Sequence, residues 1–266
     1  MKRNQSRVNV SRVVVAALST VSISMASNLA NPAAALPAAR LAVGASYHLD
    51  GITITADSVP ALMNRIEVRA CYSPTRLFNL GVDVGAVKMD VDSCTTARDT
   101  FGVFSGSFGF AGGGHIKLAT PRFLKDRLAL VAVGKAMYFN SENEEDAAYG
   151  GIDLAGAGGL QFHIKRLGYL TAGARVYLIR GKNKDYAGNE GEYANSNNVR
   201  GWVALDVFPR LETAGENKPY LSVEISVSPD VQIDERVPIR ELGISVCIGS
   251  VTGRLYGEAT GIEWEP

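Results

Sequence analysis

The sequence predicts an all-β fold, an antiparallel up-and-down transmembrane β-barrel of about ten strands. Three observations carry this expectation. Apolar and polar residues alternate with period two along most of the chain from residue 41, connections alternate between short and long, and the polar sides of the strands are rich in Gly, Ala and Ser. Composition narrows the alternatives. With 27 Lys and Arg balanced by 27 Asp and Glu in 266 residues, the chain has no electrostatic footprint for nucleic acid. Its 46% hydrophobic content excludes a disordered tail, and three Cys are too few for a disulfide scaffold. No run of about 18 uncharged apolar residues is present, which excludes a helical membrane protein.

Residues 1–12 are basic and polar, and the 14 residues Val13 to Ala26 are apolar, the length of a secretory core and too short to span a bilayer. Ala33-Ala34-Ala35 after Pro32 fits a cleavage site. The expected division is a cleaved signal peptide over 1–35 and a barrel domain over 36–266, exported to the outer membrane. Without residues 1–35 the chain has 23 basic and 27 acidic residues and is mildly acidic. Cys71, Cys94 and Cys247 allow at most one disulfide, and none is needed.

The strands follow in order. A weak alternation runs over 41–49, where Asp50-Gly51 offers a tight turn into Ile52 to Ala56. Segment 65–73 places Ile66, Val68, Ala70 and Tyr72 opposite Arg65, Glu67, Arg69 and Cys71. Weak alternation over 77–91 comes next. Segment 104–118 is read as one long strand with Phe104, Phe108, Phe110, Ile116 and Leu118 on its apolar side. Segment 127–139 also fits a helix, by its Leu, Ala and Lys content. Alternation then returns over 152–164, 170–178, 199–207, 221–227 and 242–248. Ten strands result; twelve follow if Asp50-Gly51 turns a hairpin and Arg254 to Trp264 is extended. Pro74 to Arg76, Thr120 to Asp126 and Lys165 to Gly168 form short connections, and 50–64, 92–100, 140–149 and 181–198 form long ones, the parity of an outer-membrane barrel whose chain starts in the periplasm.

Alternation alone does not say which side is inside. The polar sides carry small residues and nearly balanced charge: Arg65, Arg69, Lys117, Lys135, Arg175 and Arg200 against Glu67, Asp83, Asp153, Asp206, Glu224 and Glu241. Such a set suits a crowded, ion-paired lumen, with the apolar sides toward lipid and Tyr72, Phe104, Tyr138 and Phe162 near the interfaces. An exported soluble β-domain binding carbohydrate or lipid is the competing reading.

With its leader, strands such as RIEVRACYS and PYLSVEISVS, and its loop parity, the chain resembles the small bacterial outer-membrane β-barrel proteins over roughly residues 41–250. The resemblance is architectural and rests on no family-specific motif. It implies outer-membrane lipid and the barrel-assembly machinery as partners. Members of that class commonly end on an aromatic residue, whereas here Glu265 and Pro266 follow Trp264.

No residue is assigned a catalytic, cofactor-binding or metal-binding role, and no cofactor is expected. A barrel-embedded envelope hydrolase would need a histidine beside a nucleophile and an acid, and His115 and His163 fall on the polar sides. One intervening strand would set them about 10 Å apart, too far to share a zinc ion. Glu142, Glu144, Glu145 and Asp146 would suit a divalent cation but equally a solvated loop, and lack an ordered ligand spacing. Gly112 to Gly114 lack the Lys-Ser/Thr of a phosphate loop and are read as close strand packing or a bulge. Tyr186 and Tyr193 in 181–198 offer a ligand-contact surface. The expected function is structural or adhesive, or passage of small solutes; ten strands are too few for an open diffusion pore.

Overall fold

The computed structural model describes residues 40–54, 59–75, 77–92, 94–95, 100–101, 103–125, 127–164, 167–196, 198–208, 218–228 and 242–251. Its strands are β1 (Arg40–Ile54), β2 (Val59–Thr75), β3 (Phe78–Val91), β4 (Cys94–Thr95), β5 (Thr100–Phe101), β6 (Phe104–Ser105) and β7 (Gly109–Ala119). There follow β8 (Leu128–Glu142), β9 (Ala148–Ile164), β10 (Gly168–Lys184), β11 (Glu190–Ala194), β12 (Val199–Val207), β13 (Lys218–Val227) and β14 (Leu242–Val251). Ten of them close a barrel in sequence order, β1-β2-β3-β7-β8-β9-β10-β12-β13-β14, and β14 pairs back onto β1. All these pairings are antiparallel, so each connection lies at one of two ends.

The apolar sides face outward. Val68 on β2 is 59% exposed and Val82 on β3 is 56% exposed, while Arg65, Glu67, Arg69 and Asp83 on the same strands are buried. The outward apolar run is Phe78 to Ala86 on β3 and Ile152 to Ile164 on β9. At about 3.3 Å per residue and a tilt near 40°, these runs stand about 20 to 30 Å tall, the height of a hydrocarbon layer. On the loop side the run ends at outward polar residues, Asn64, Lys88, Asn140 and Arg180. Tyr138 and Phe162 lie on the outer face, as expected.

Several expectations need correction. Asp50-Gly51 does not turn: β1 continues to Ile54 in unbroken register with β2, and the number of barrel strands is ten. Segment 127–139 is strand throughout. Segment 104–118 is not one phase. Ser105 pairs with Asp90 but Gly109 with Val87, so a residue is inserted between them, and Phe104 turns inward while Phe108 and Phe110 stay outside. The long connection 181–198 is largely strand, with β10 and β11 forming a hairpin. A second slip follows it: Arg180 pairs with Ala194, yet Val176 pairs with Val199. Asn195 fills the break, its side-chain oxygen accepting from Ile179 N at 2.7 Å and its amide donating to Tyr177 O at 3.2 Å. The expected signal peptide over 1–35, Glu241 and Arg254 to Trp264 lie outside the described residues.

Candidate functional site: the lumen

Inward side chains fill the barrel in three tiers. At the short-turn end, Tyr169, Phe208 and Tyr220 pack edge on or tilted, with ring centres about 6 Å apart, over the buried thiols of Cys71 and Cys247. At the long-loop end, Met63, Met89, Phe104, Phe139, Tyr149 and Tyr193 form an apolar tier, with Phe104 and Tyr149 4.7 Å apart and Tyr149 and Tyr193 5.3 Å apart. Between them lies a charged tier. Among the described residues, its buried cations are Arg65, Arg69, Lys117, Lys135, Arg175 and Arg200, and its buried carboxylates are Asp50, Glu67, Asp83, Asp153, Asp206 and Glu224. Six positive charges thus meet six negative ones.

The largest cluster crosses five adjacent strands. Arg69 Nε donates to Asp83 Oδ1 at 2.5 Å, the other oxygen of Asp83 lies 2.7 Å from His115 Nδ1, and Lys135 Nζ donates to Glu67 Oε2 at 2.8 Å. His48 Nε2 stands 3.1 Å from the same Glu67 oxygen and 2.7 Å from Ser46 Oγ. Other pairs cross the lumen. Arg65 on β2 reaches Asp153 on β9 at 2.6 Å, four strands around the wall. Arg175 on β10 contacts Glu224 on β13 at 3.4 Å, and Arg200 on β12 lies 3.6 Å from Asp50 on β1 and donates to the carbonyl of Gly51. The Arg175 and Arg200 guanidiniums lie 5.3 and 4.7 Å from the centre of the Tyr177 ring. Glycine makes room where the filling is tight: a Cβ on Gly81 would sit 2.4 Å from the His115 ring.

The contacts around His48 do not have the geometry of a hydrolytic relay. A hydrolytic relay places nucleophile and acid on opposite nitrogens of one imidazole. Here Ser46 and Glu67 share Nε2 of His48. His115 and His163 are not brought together, and the expected 10 Å spacing is wrong. His115 lies opposite Lys135 and Lys135 opposite Ala155, which leaves His163 eight residues along β9, about 26 Å of strand. His163 instead stacks on Tyr169, with centroids 5.1 Å apart.

The other candidate residues separate. Glu144, Glu145 and Asp146 are exposed, in a turn organised by Asn143, whose side-chain oxygen accepts from Glu145 N and Ala147 N at 3.0 Å. Gly112 to Gly114 lie in unbroken register within β7, so close packing rather than a bulge accounts for them. Tyr186 is exposed and donates to Val103 O at 2.8 Å, while Tyr193 is mostly buried and borders the groove beside the hairpin. Asp185, in the β10–β11 turn, has its carboxyl held below the ordinary value by hydrogen bonds from Asn189 and the neighbouring backbone. An open groove of about 660 Å³ beside that hairpin is lined by Arg180, Lys182, Glu192 and Ser196.

Asp50, His48 and Ser46 are among the lumen residues that sequence reasoning missed. Alternate positions from Ala42 to Ile54 all face inward, but the alternation legible in the sequence stops at residue 49, where Asp50-Gly51 offers a turn.

No family model matches the chain, and no curated protein does. Among solved structures it is similar to one described as the CymD monoaromatic hydrocarbon channel, at 9% identity and a TM-score of 0.31, over 84% of this chain and 91% of that one.

Proposed function

We propose that this chain is an outer-membrane β-barrel protein with a closed lumen and a structural or adhesive role, passing at most small solutes. The observation that carries this reading is the charged tier. Ion pairs such as Arg65–Asp153 tie opposite walls together and leave both partners buried, where an aqueous pore would keep its charges wet. The outward apolar belt supports lipid as its surroundings, and the β10–β11 hairpin with its groove supplies a contact surface beyond the belt.

Conductance tests it. The refolded protein in a planar bilayer at neutral pH is expected to show no regular channel steps. Replacing both partners of the cross-lumen pair, Arg65→Ala with Asp153→Ala, keeps the charge balance and removes the span, and steps are expected to appear. Well-defined steps from the unaltered protein would overturn the closed-lumen reading.

A further inference from the structure

A recurring dipeptide marks one end of this barrel. Arg-Leu occurs at 40–41, 76–77, 127–128, 166–167, 210–211 and 254–255, and nowhere else in the sequence. Its spacing is that of successive hairpins. The first pair opens β1, the second joins β2 to β3, the third enters β8, and the fourth joins β9 to β10. In an up-and-down barrel these four places share the short-turn end. The last two pairs follow β12 and β14 in the sequence.

Charge and greasiness coincide there. Connections 76–77, 120–127 and 165–167 contain Arg76, Arg122, Lys125, Arg127, Lys165 and Arg166, with Asp126 as the sole acid. Leu77, Phe123, Leu124 and Leu167 are all exposed on the same turns, Leu124 by 66%. Arg122 is braced rather than free to swing: its Nη2 donates to Tyr169 OH at 2.8 Å, and its guanidinium lies 5.3 Å from the centre of that ring. The opposite end has another character, since Glu142, Glu144, Glu145 and Asp146 cluster at one turn, and Lys182 and Lys184 pair across the strands with Glu192 and Glu190.

Leucine and phenylalanine exposed to water beside an excess of cations on these turns gain nothing from solvent. In a headgroup layer both gain: guanidinium binds phosphate bidentately, and the apolar tips reach acyl chains. We infer that the short-turn rim is a binding surface for anionic phospholipid, with Arg122, Lys125 and Arg127 at the phosphodiester and the exposed Phe123 and Leu124 below it. The inference rests on the membrane-barrel reading and deepens it by naming the lipid class.

The full mature chain is reconstituted in nanodiscs of phosphatidylcholine with phosphatidylglycerol at 3:1, released gently, and the retained lipid identified by native mass spectrometry. Phosphatidylglycerol is expected to be enriched over its bulk share. Neutralising the rim with Lys125→Gln and Arg127→Gln is expected to bring the retained phosphatidylglycerol most of the way back to its bulk share, since each interfacial cation contributes appreciably to anionic-lipid affinity. Lys182→Gln with Lys184→Gln, at the far end, is expected to leave it unchanged. Adding Arg122→Gln should lower it further, with retained heat-modifiable gel mobility confirming the fold. Equal retention by the rim variant and the original chain, or no preference for phosphatidylglycerol, overturns the inference. Failure of the chain to enter phosphatidylcholine nanodiscs at all would instead sink the membrane-barrel reading.

Discussion

Arg69→Met is expected to lower the unfolding free energy by about 3–5 kcal/mol, measured from the urea midpoint in detergent micelles or a thin bilayer. Removing this guanidinium deletes the 2.5 Å contact to Asp83 and leaves a buried carboxylate with His115 and a more distant Lys135 at 3.9 Å. The cost is dominated by the charge left without its principal partner, not by the intrinsic worth of the pair. Arg69→Met combined with Asp83→Leu therefore recovers at least half of the loss, because adjacent sites couple and the orphaned charge is gone. A single-variant loss under about 1 kcal/mol is what a solvated ion pair shows, and it would mean that the lumen is wet.

Val82→Lys carries the second large effect. Val82 is exposed near the middle of the outward run on β3, between Phe78 and Lys88. In water, substitution at such a position changes stability by no more than about 0.5 kcal/mol. In a bilayer it buries an ammonium near the hydrocarbon centre and costs about 2–4 kcal/mol. Asp90→Lys, at the upper end of the same strand, is expected to cost about 1 kcal/mol or less, so the two together give a depth profile. Flat costs along β3 would contradict a lipid-facing wall.

Much of this fold was legible because barrel strands write their two environments directly into the chain. RIEVRACYS alternates so cleanly that Ile66 and Val68 outside, and Arg65, Glu67 and Arg69 inside, follow from parity once the polar side is taken as interior. Five of the six expected lumen acids are buried as read, Glu241 lies outside the described residues, and Asp50 is the acid that parity offered and turn chemistry concealed. Parity failed where a residue is inserted. The slips near Gly106 to Phe108 and at Asn195 to Asn198 reverse the sides of what precedes or follows them, and an alternating pattern contains no mark of where the count skips. The lumen partners were equally hidden. Which arginine meets which carboxylate across the barrel depends on strand stagger, so Arg65 pairing with Asp153 and the long separation of His115 from His163 emerge only from register.

The proposal that the outward apolar belt faces lipid is tested most directly by quenching. Val82→Trp, reconstituted in vesicles whose acyl chains carry bromine near the bilayer centre, is expected to lose most of its added fluorescence while remaining insensitive to acrylamide. Trp202, buried in the lumen, serves as the internal reference. Strong quenching by acrylamide with none from the brominated chains would place Val82 in water and contradict the account.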